Sequence, residues 1–211
     1  MSACTARSLI HSFALALVAL LAPWASQAQP QPFDADWLSL NPGIPGADGS
    51  VLDIVADGSG NLYCAGNSGL IGTAPANRLA KWDGQRWSAL GAGMPGTLAL
   101  AAGATNLYVA ADYQLPSQSY SNYVARWTGS GWSPLAAGTN GLVYVLAASG
   151  ADLYAGGSFT SLGGVAATNI AKWNGSTWSP LGSGLDGPVF ALVASGDTLY
   201  VGGAFSTAGG T

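Results

Sequence analysis

Glutamate does not occur in this chain, histidine occurs once and cysteine twice. All ten acidic residues are aspartates, set against six lysines and arginines, for a formal net charge of −4. The single histidine, His11, and one cysteine, Cys4, fall within the first 28 residues. That segment reads as an export signal: Arg7 precedes the apolar run 13–24, and the small residues Ser26 and Ala28 close it. The run is too short for a permanent membrane-spanning helix. Cys4 precedes the apolar run, where a lipid-modified cysteine would follow it. Cleavage is expected after Ala28, with the mature chain secreted, periplasmic or at the cell surface and without a stable membrane span.

Each absence excludes a chemistry. A mature chain without histidine or glutamate has no Ser-His-Asp triad, no histidine metal site and no pair of glutamates for glycoside hydrolysis. Aspartate pairs remain formally open, but most aspartates sit in turn-like stretches. A lone Cys64 leaves no partner for an intramolecular disulfide. A slightly negative chain with no basic patch argues against nucleic acid and anionic membrane surfaces. The expectation is therefore a protein that is not an enzyme, with no catalytic residues, no metal and no cofactor.

What the chain does contain is a repeat. Ile54, Leu100, Leu146 and Leu192 stand 46 residues apart, each opening a stretch that ends in a Leu-Tyr pair: Leu62-Tyr63, Leu107-Tyr108, Leu153-Tyr154 and Leu199-Tyr200. The second half of the unit recurs as "AKWDGQRWSALGAG", "ARWTGSGWSPLAAG" and "AKWNGSTWSPLGSG". Mostly apolar runs such as "VFALVA" predict strands buried on both faces. Asp83-Gly84 and Asn174-Gly175, each between two strand-like segments, predict tight hairpins. Four short antiparallel strands in about 46 residues make a propeller blade; a solenoid of stacked hairpins is the alternative.

The diglycine Gly156-Gly157, followed by an aromatic, a turn, a tryptophan and a leucine and matched by Gly202-Gly203 in the next copy, resembles the kelch motif of β-propellers. The wording "WNGSTWSPLGSGLDGPV…LYVGGAF" is similar to repeats of secreted bacterial propeller proteins and of fungal cortical polarity-marker proteins. This chain departs from the kelch pattern at Trp173-Asn174, where kelch repeats carry Tyr-Asp. It departs again at Ala110-Ala111 and Ala65-Gly66, which replace the diglycine. The resemblance implies an all-β propeller of four-stranded antiparallel blades. The copper chemistry of one kelch-propeller enzyme uses histidine and does not carry over.

The expected organisation is a signal over 1–28 and propeller repeats over 29–211. These divide into the tail of a partial repeat at 33–48, full repeats at 49–96, 97–140 and 141–187, and a truncated repeat at 188–211. Three full blades plus partial ones read as an incomplete propeller, a truncated form of a longer repeat protein.

The tryptophan pairs Trp82/Trp87, Trp127/Trp132 and Trp173/Trp178 recur in every full repeat, which marks them as structural packing rather than a sugar platform. Cys64 aligns with Val109, Ala155 and Val201 and reads as a packing residue. "DGSGN" at 57–61 holds only one carboxylate and reads as a turn, not a calcium loop. Lys81, Arg126 and Lys172, just before the first tryptophan of each pair, read as solvated charges on a sheet edge. Variation concentrates in the loop between the second and third strands. In the second repeat it carries Tyr113, Gln114, Gln118 and Tyr120, and Tyr113, Gln114 and Tyr120 are the candidate ligand contacts. The expected function is binding of an unidentified protein or glycan through such loops. A carbohydrate-binding propeller and a structural spacer within a larger surface protein are the rival readings.

Overall fold

The computed structural model describes residues 47–94, 96–103, 105–114 and 120–209. The expected signal at 1–28 lies outside them. The regular structure of the described residues is all strand, and none of them forms a helix long and apolar enough to cross a membrane.

Three four-stranded antiparallel sheets follow one another along the chain. The first comprises β1 (Val51–Ala56), β2 (Leu62–Gly66), β5 (Leu79–Trp82) and β6 (Trp87–Ala89), hydrogen-bonded in that order. Between β2 and β5 runs a two-stranded ribbon, β3 (Leu70–Ile71) and β4 (Ala74–Pro75). The second sheet comprises β7 (Thr97–Ala102), β8 (Leu107–Gln114), β9 (Tyr120–Trp127) and β10 (Trp132–Pro134). The third is built from β11 (Leu142–Ser149), β12 (Asp152–Ser158), β15 (Ile170–Trp173) and β16 (Trp178–Pro180), with the ribbon β13 (Ser161–Leu162) and β14 (Val165–Ala166) in its second connection. A last antiparallel pair is formed by β17 (Val189–Ser195) and β18 (Thr198–Gly203).

The first strand of every unit carries the same irregularity. Register shifts fall between Val51 and Asp53, Thr97 and Ala99, Val143 and Val145, and Val189 and Ala191. The extra residues are Leu52, Leu98, Tyr144 and Phe190, each 46 positions from the last. A bulge at a fixed place re-aims the strand and increases its local twist. The glycine of the neighbouring strand is needed beside it. A Cβ on Gly66, Gly157 or Gly203 would lie 2.0, 2.0 or 2.2 Å from the carbonyl oxygen of Ser50, Leu142 or Pro188. The second unit carries Ala111 at this place. There Ala111 stands opposite Thr97, and Gly96, φ 70°, lies against the backbone of Asp112.

The core lies between sheets rather than within them. First strands neighbour one another in sequence, β1 beside β7, β7 beside β11 and β11 beside β17. One apolar cluster joins Leu79 and Leu90 of the first unit to Leu100, Val109 and Ala125 of the second. Another joins Tyr108, Val124 and Leu135 of the second to Leu153, Trp173 and Trp178 of the third. Small residues at the sheet centres let the layers approach: Cys64 pairs with Ala80, Val109 with Ala125 and Ala155 with Ala171, and all six are buried.

The tryptophan pairs close the third hairpin of each sheet, and in the second and third units one member of the pair reaches towards the preceding unit. Trp82 faces Trp87, Trp127 faces Trp132 and Trp173 faces Trp178 across the strands, with ring centroids 5.5, 5.1 and 5.5 Å apart. Trp173 and Trp178 are only 7% and 4% exposed. The Trp178 indole N–H donates to the Leu135 carbonyl of the previous unit at 3.0 Å. Its ring lies so close to Gly163, φ 62°, that a Cβ there would come within 2.3 Å. Trp127 reaches back likewise, close against Gly91.

The hairpins under these pairs use the Asn and Asp differently from the sequence expectation. Positive φ belongs to the glycines alone, at 95°, 96° and 97° for Gly84, Gly129 and Gly175. Asn174 instead accepts the Ser176 and Thr177 N–H groups on its side-chain oxygen, and Asp83 does the same for Gln85 and Arg86. The connection is therefore four residues long between paired tryptophans.

Trp178→Ala should destabilise the fold by about 3–5 kcal/mol, since it empties a buried inter-unit site. Trp178→Phe should recover most of that loss, leaving about 1 kcal/mol for the missing hydrogen bond. Urea unfolding of both variants checks this, and a Trp178→Ala protein as stable as the parent would contradict it.

Candidate functional site

The described surface holds a cleft of about 520 Å³ between the first and second units. It opens among the short turns, where β1 meets β2, β7 meets β8 and β9 meets β10. In an antiparallel sheet alternate connections emerge at opposite ends, so this end is opposite the one carrying the β2–β5 and β8–β9 connections. Asp57 and Tyr63 contribute one wall, Thr105 and Asn106 the floor turn, and Arg126 and Trp127 the other wall.

Asp57 organises its own turn. One carboxylate oxygen accepts the N–H groups of Ser59 and Asn61 at 2.9 and 3.0 Å. The other accepts the Asn61 amide at 2.7 Å and the Tyr63 hydroxyl at 3.1 Å. Burial pushes the Asp57 carboxyl up, but the bonds from Asn61, Ser59 and Tyr63 outweigh it and hold the group below its usual value. Burial and the bond to Asp57 push the Tyr63 phenol up to about 12, so it stays a donor. With four donors on its two oxygens, this carboxylate serves the turn rather than a cation. Among the described residues no three His, Cys, Asp or Glu side chains gather as a metal site.

The cations before the tryptophans lie on the third strand of each four-stranded sheet, an interior position. This corrects the edge assignment made from sequence. Each stands directly opposite a tyrosine: Lys81 opposite Tyr63, Arg126 opposite Tyr108 and Lys172 opposite Tyr154. Lys81 lies 5.8 Å from the Tyr63 ring centre and Lys172 5.7 Å from that of Tyr154, so the aromatic partner is the tyrosine, not the adjacent tryptophan. Lys172 also pairs with Asp152 at 2.7 Å. The residue aligned with Asp152 in the second unit is Asn106, and among the described residues Arg126 makes no ion pair.

Asp53 is a second departure from the repeat, aligned with Ala99, Val145 and Ala191. It follows the bulge of β1, accepts the N–H of Ile54 at 2.8 Å and reaches into the second unit to accept the Leu100 N–H at 2.7 Å. Burial raises this carboxyl above its ordinary value, against those two hydrogen bonds, which lower it. Cys64, 3% exposed, is pushed up to about 11 by burial and then by the Asp53 charge. Such a thiol is inert packing.

Of the sequence candidates, Tyr113, Gln114 and Tyr120 sit where β8 and β9 pair furthest, Tyr113 opposite Ser121 and Gln114 opposite Tyr120. Their side chains and Gln118 lie outside the described part of the chain. The second unit's different loop has a cause in the connectors. In the other units an Asx residue caps the second connection: Asp48 accepts from Leu70, Asn140 from Thr160 and Ser161, and Asp186 from Ser206 and Thr207. These three occupy one repeat position, which Met94 fills in the second unit. With no cap there, β8 and β9 run on as one eight-residue hairpin where the first and third units form short ribbons. Sequence reasoning found the unusual loop but missed the cleft, whose signals were the non-repeating Asp57 and an arginine at 126 where the other units carry lysine.

No family model matches this chain, and no curated protein does.

The Asp53 contribution has a definite sign. A folded value above the unfolded one of about 3.9 means that the native state binds the proton more tightly. Its stabilising contribution is fully present below the unfolded value and is lost as pH rises through the folded one. Relative to Asp53→Asn, the parent should therefore lose unfolding free energy as pH climbs from about 3 towards neutrality. Denaturant titrations of both proteins across that range check it, and a pH-independent difference would contradict it.

Proposed function

We propose that this chain is a kelch-like β-propeller module, exported and not enzymatic, that binds an extracellular or cell-surface partner through variable surface features on a rigid repeated frame. Support for the propeller reading comes from three successive four-stranded antiparallel sheets. Their first strands adjoin one another, and each carries a bulge at the same 46-residue interval. An array of this kind buries both sheet faces against neighbours, as propeller blades do. Export rests on the residues of 1–28 alone.

The observation that carries the binding reading is where the repeat fails. Frame positions recur unit after unit, whereas the non-repeating polar and aromatic residues gather on the second unit and its border with the first. They comprise the extended β8–β9 hairpin with Tyr113, Gln114 and Tyr120, and the cleft with Asp57 and with an arginine, Arg126, where the other units carry lysine. A spacer has no need of such asymmetry. The cleft, with Trp127 in its wall, favours a glycan as one class of partner, and a protein partner suits the long hairpin.

Screening the intact chain against panels of extracellular glycans and surface proteins tests this proposal. Saturable binding is expected, weakened at least tenfold by Tyr113→Ala with Tyr120→Ala or by changes in the cleft, with an unchanged melting temperature. Absence of saturable binding to either panel would leave the spacer reading in its place.

A further inference from the structure

The cleft between the first and second units differs from its counterpart between the second and third in ways the repeat makes easy to isolate. At the counterpart, Lys172 is neutralised by Asp152 at 2.7 Å, and the residue aligned with Asp57 is Gly103. At the first cleft the cation is an arginine and the aligned acid is the amide Asn106, and among the described residues Arg126 makes no ion pair. Asp57, across the cleft, has its carboxylate committed to four donors of its turn. Arg126 is exposed and Trp127 half-buried, so the cleft presents a planar cation beside part of an indole wall.

From this juxtaposition we infer that the cleft binds a carboxylate-bearing saccharide, a uronate unit of an acidic glycan, with its carboxylate on Arg126 and its ring against Trp127. Guanidinium matches carboxylate in a bidentate, planar fashion, which an ammonium does not. Asn106 and Thr105 supply donors and acceptors for sugar hydroxyls. A volume of about 520 Å³ suits one or two sugar rings and falls within the range usual for small-ligand sites. The inference rests on the binding-module reading and gives its cleft a ligand class.

The repeat also supplies the test. Asn106→Asp rebuilds in the second unit the acid that neutralises Lys172 in the third, and so should occupy Arg126 without disturbing the fold. Calorimetric titration would use tri-galacturonate, its methyl ester, monomeric galacturonate and acetate as probes. Saturable binding of the galacturonates is expected, with little binding of the ester or of acetate. Affinity should fall at least tenfold in Arg126→Gln and in Asn106→Asp, while Lys172→Gln binds as the parent does. Melting temperatures report whether each variant is folded. Acetate binding as tightly as galacturonate would overturn the saccharide assignment. Galacturonate binding untouched by Arg126→Gln, or absent from the parent, would overturn the site. Neutral glycans or proteins bound without regard to Arg126 would refute the cleft while leaving the module reading intact. No binding to any glycan or protein would remove both.

Discussion

No unit of this protein can bury its own faces, and the rest of the structure follows from that constraint. A four-stranded sheet has two surfaces, and these sheets carry apolar or small residues on both. Ala155 and Ala171 share one face, and Gly156 and Ile170, paired one step along, lie on the other, all buried. The faces can be dry only if another sheet lies against each. In the second and third units a tryptophan of the pair holds the predecessor, Trp127 against Gly91 and Trp178 by its bond to Leu135. Cores of this kind grow by addition, and stability is then nearly a sum over units and the contacts between neighbours.

Once packing is assigned to the periodic positions, the aperiodic ones stand out. Two of them, Asp53 and Asp57, lie at one junction, and Arg126, an arginine where the other units carry lysine, lies across it. Asp53 ties β1 to the backbone of Leu100, Asp57 builds a turn over the cleft, and Arg126 faces into it. The first two are committed to local hydrogen bonds, which is why a carboxylate in each place is compatible with the fold. Arg126 makes no ion pair among the described residues. That asymmetry, rather than any single aromatic, is what makes the junction a candidate for ligand binding.

Much of the fold was legible in the residues themselves. The 46-residue spacing of Ile54, Leu100, Leu146 and Leu192 placed the first strands, and the Asp-Gly and Asn-Gly pairs placed the third hairpins. Their turn chemistry was only half legible, because Asn174 serves as a side-chain acceptor and leaves positive φ to Gly175. The bulges were not legible: a 46-residue step is the same with or without an extra residue in each first strand. Nor was the need for Gly66, Gly157 and Gly203 beside them, which comes from carbonyl oxygens of the neighbouring backbone. The edge reading of Lys81 and Lys172 failed because strand order within a sheet, not sequence, decides which strand is interior. The cleft escaped because its residues come from three turns on two units, and no linear motif joins them.

The central claim is that each unit owes its folded state to its neighbours. The direct measurement is to express the third unit, residues 141–187, by itself and follow its circular dichroism and amide exchange against urea. The account predicts no cooperative transition and no protected core for the isolated unit, and a cooperative transition when the flanking units are restored. An isolated unit that unfolds cooperatively, with Trp178 still buried, would contradict it.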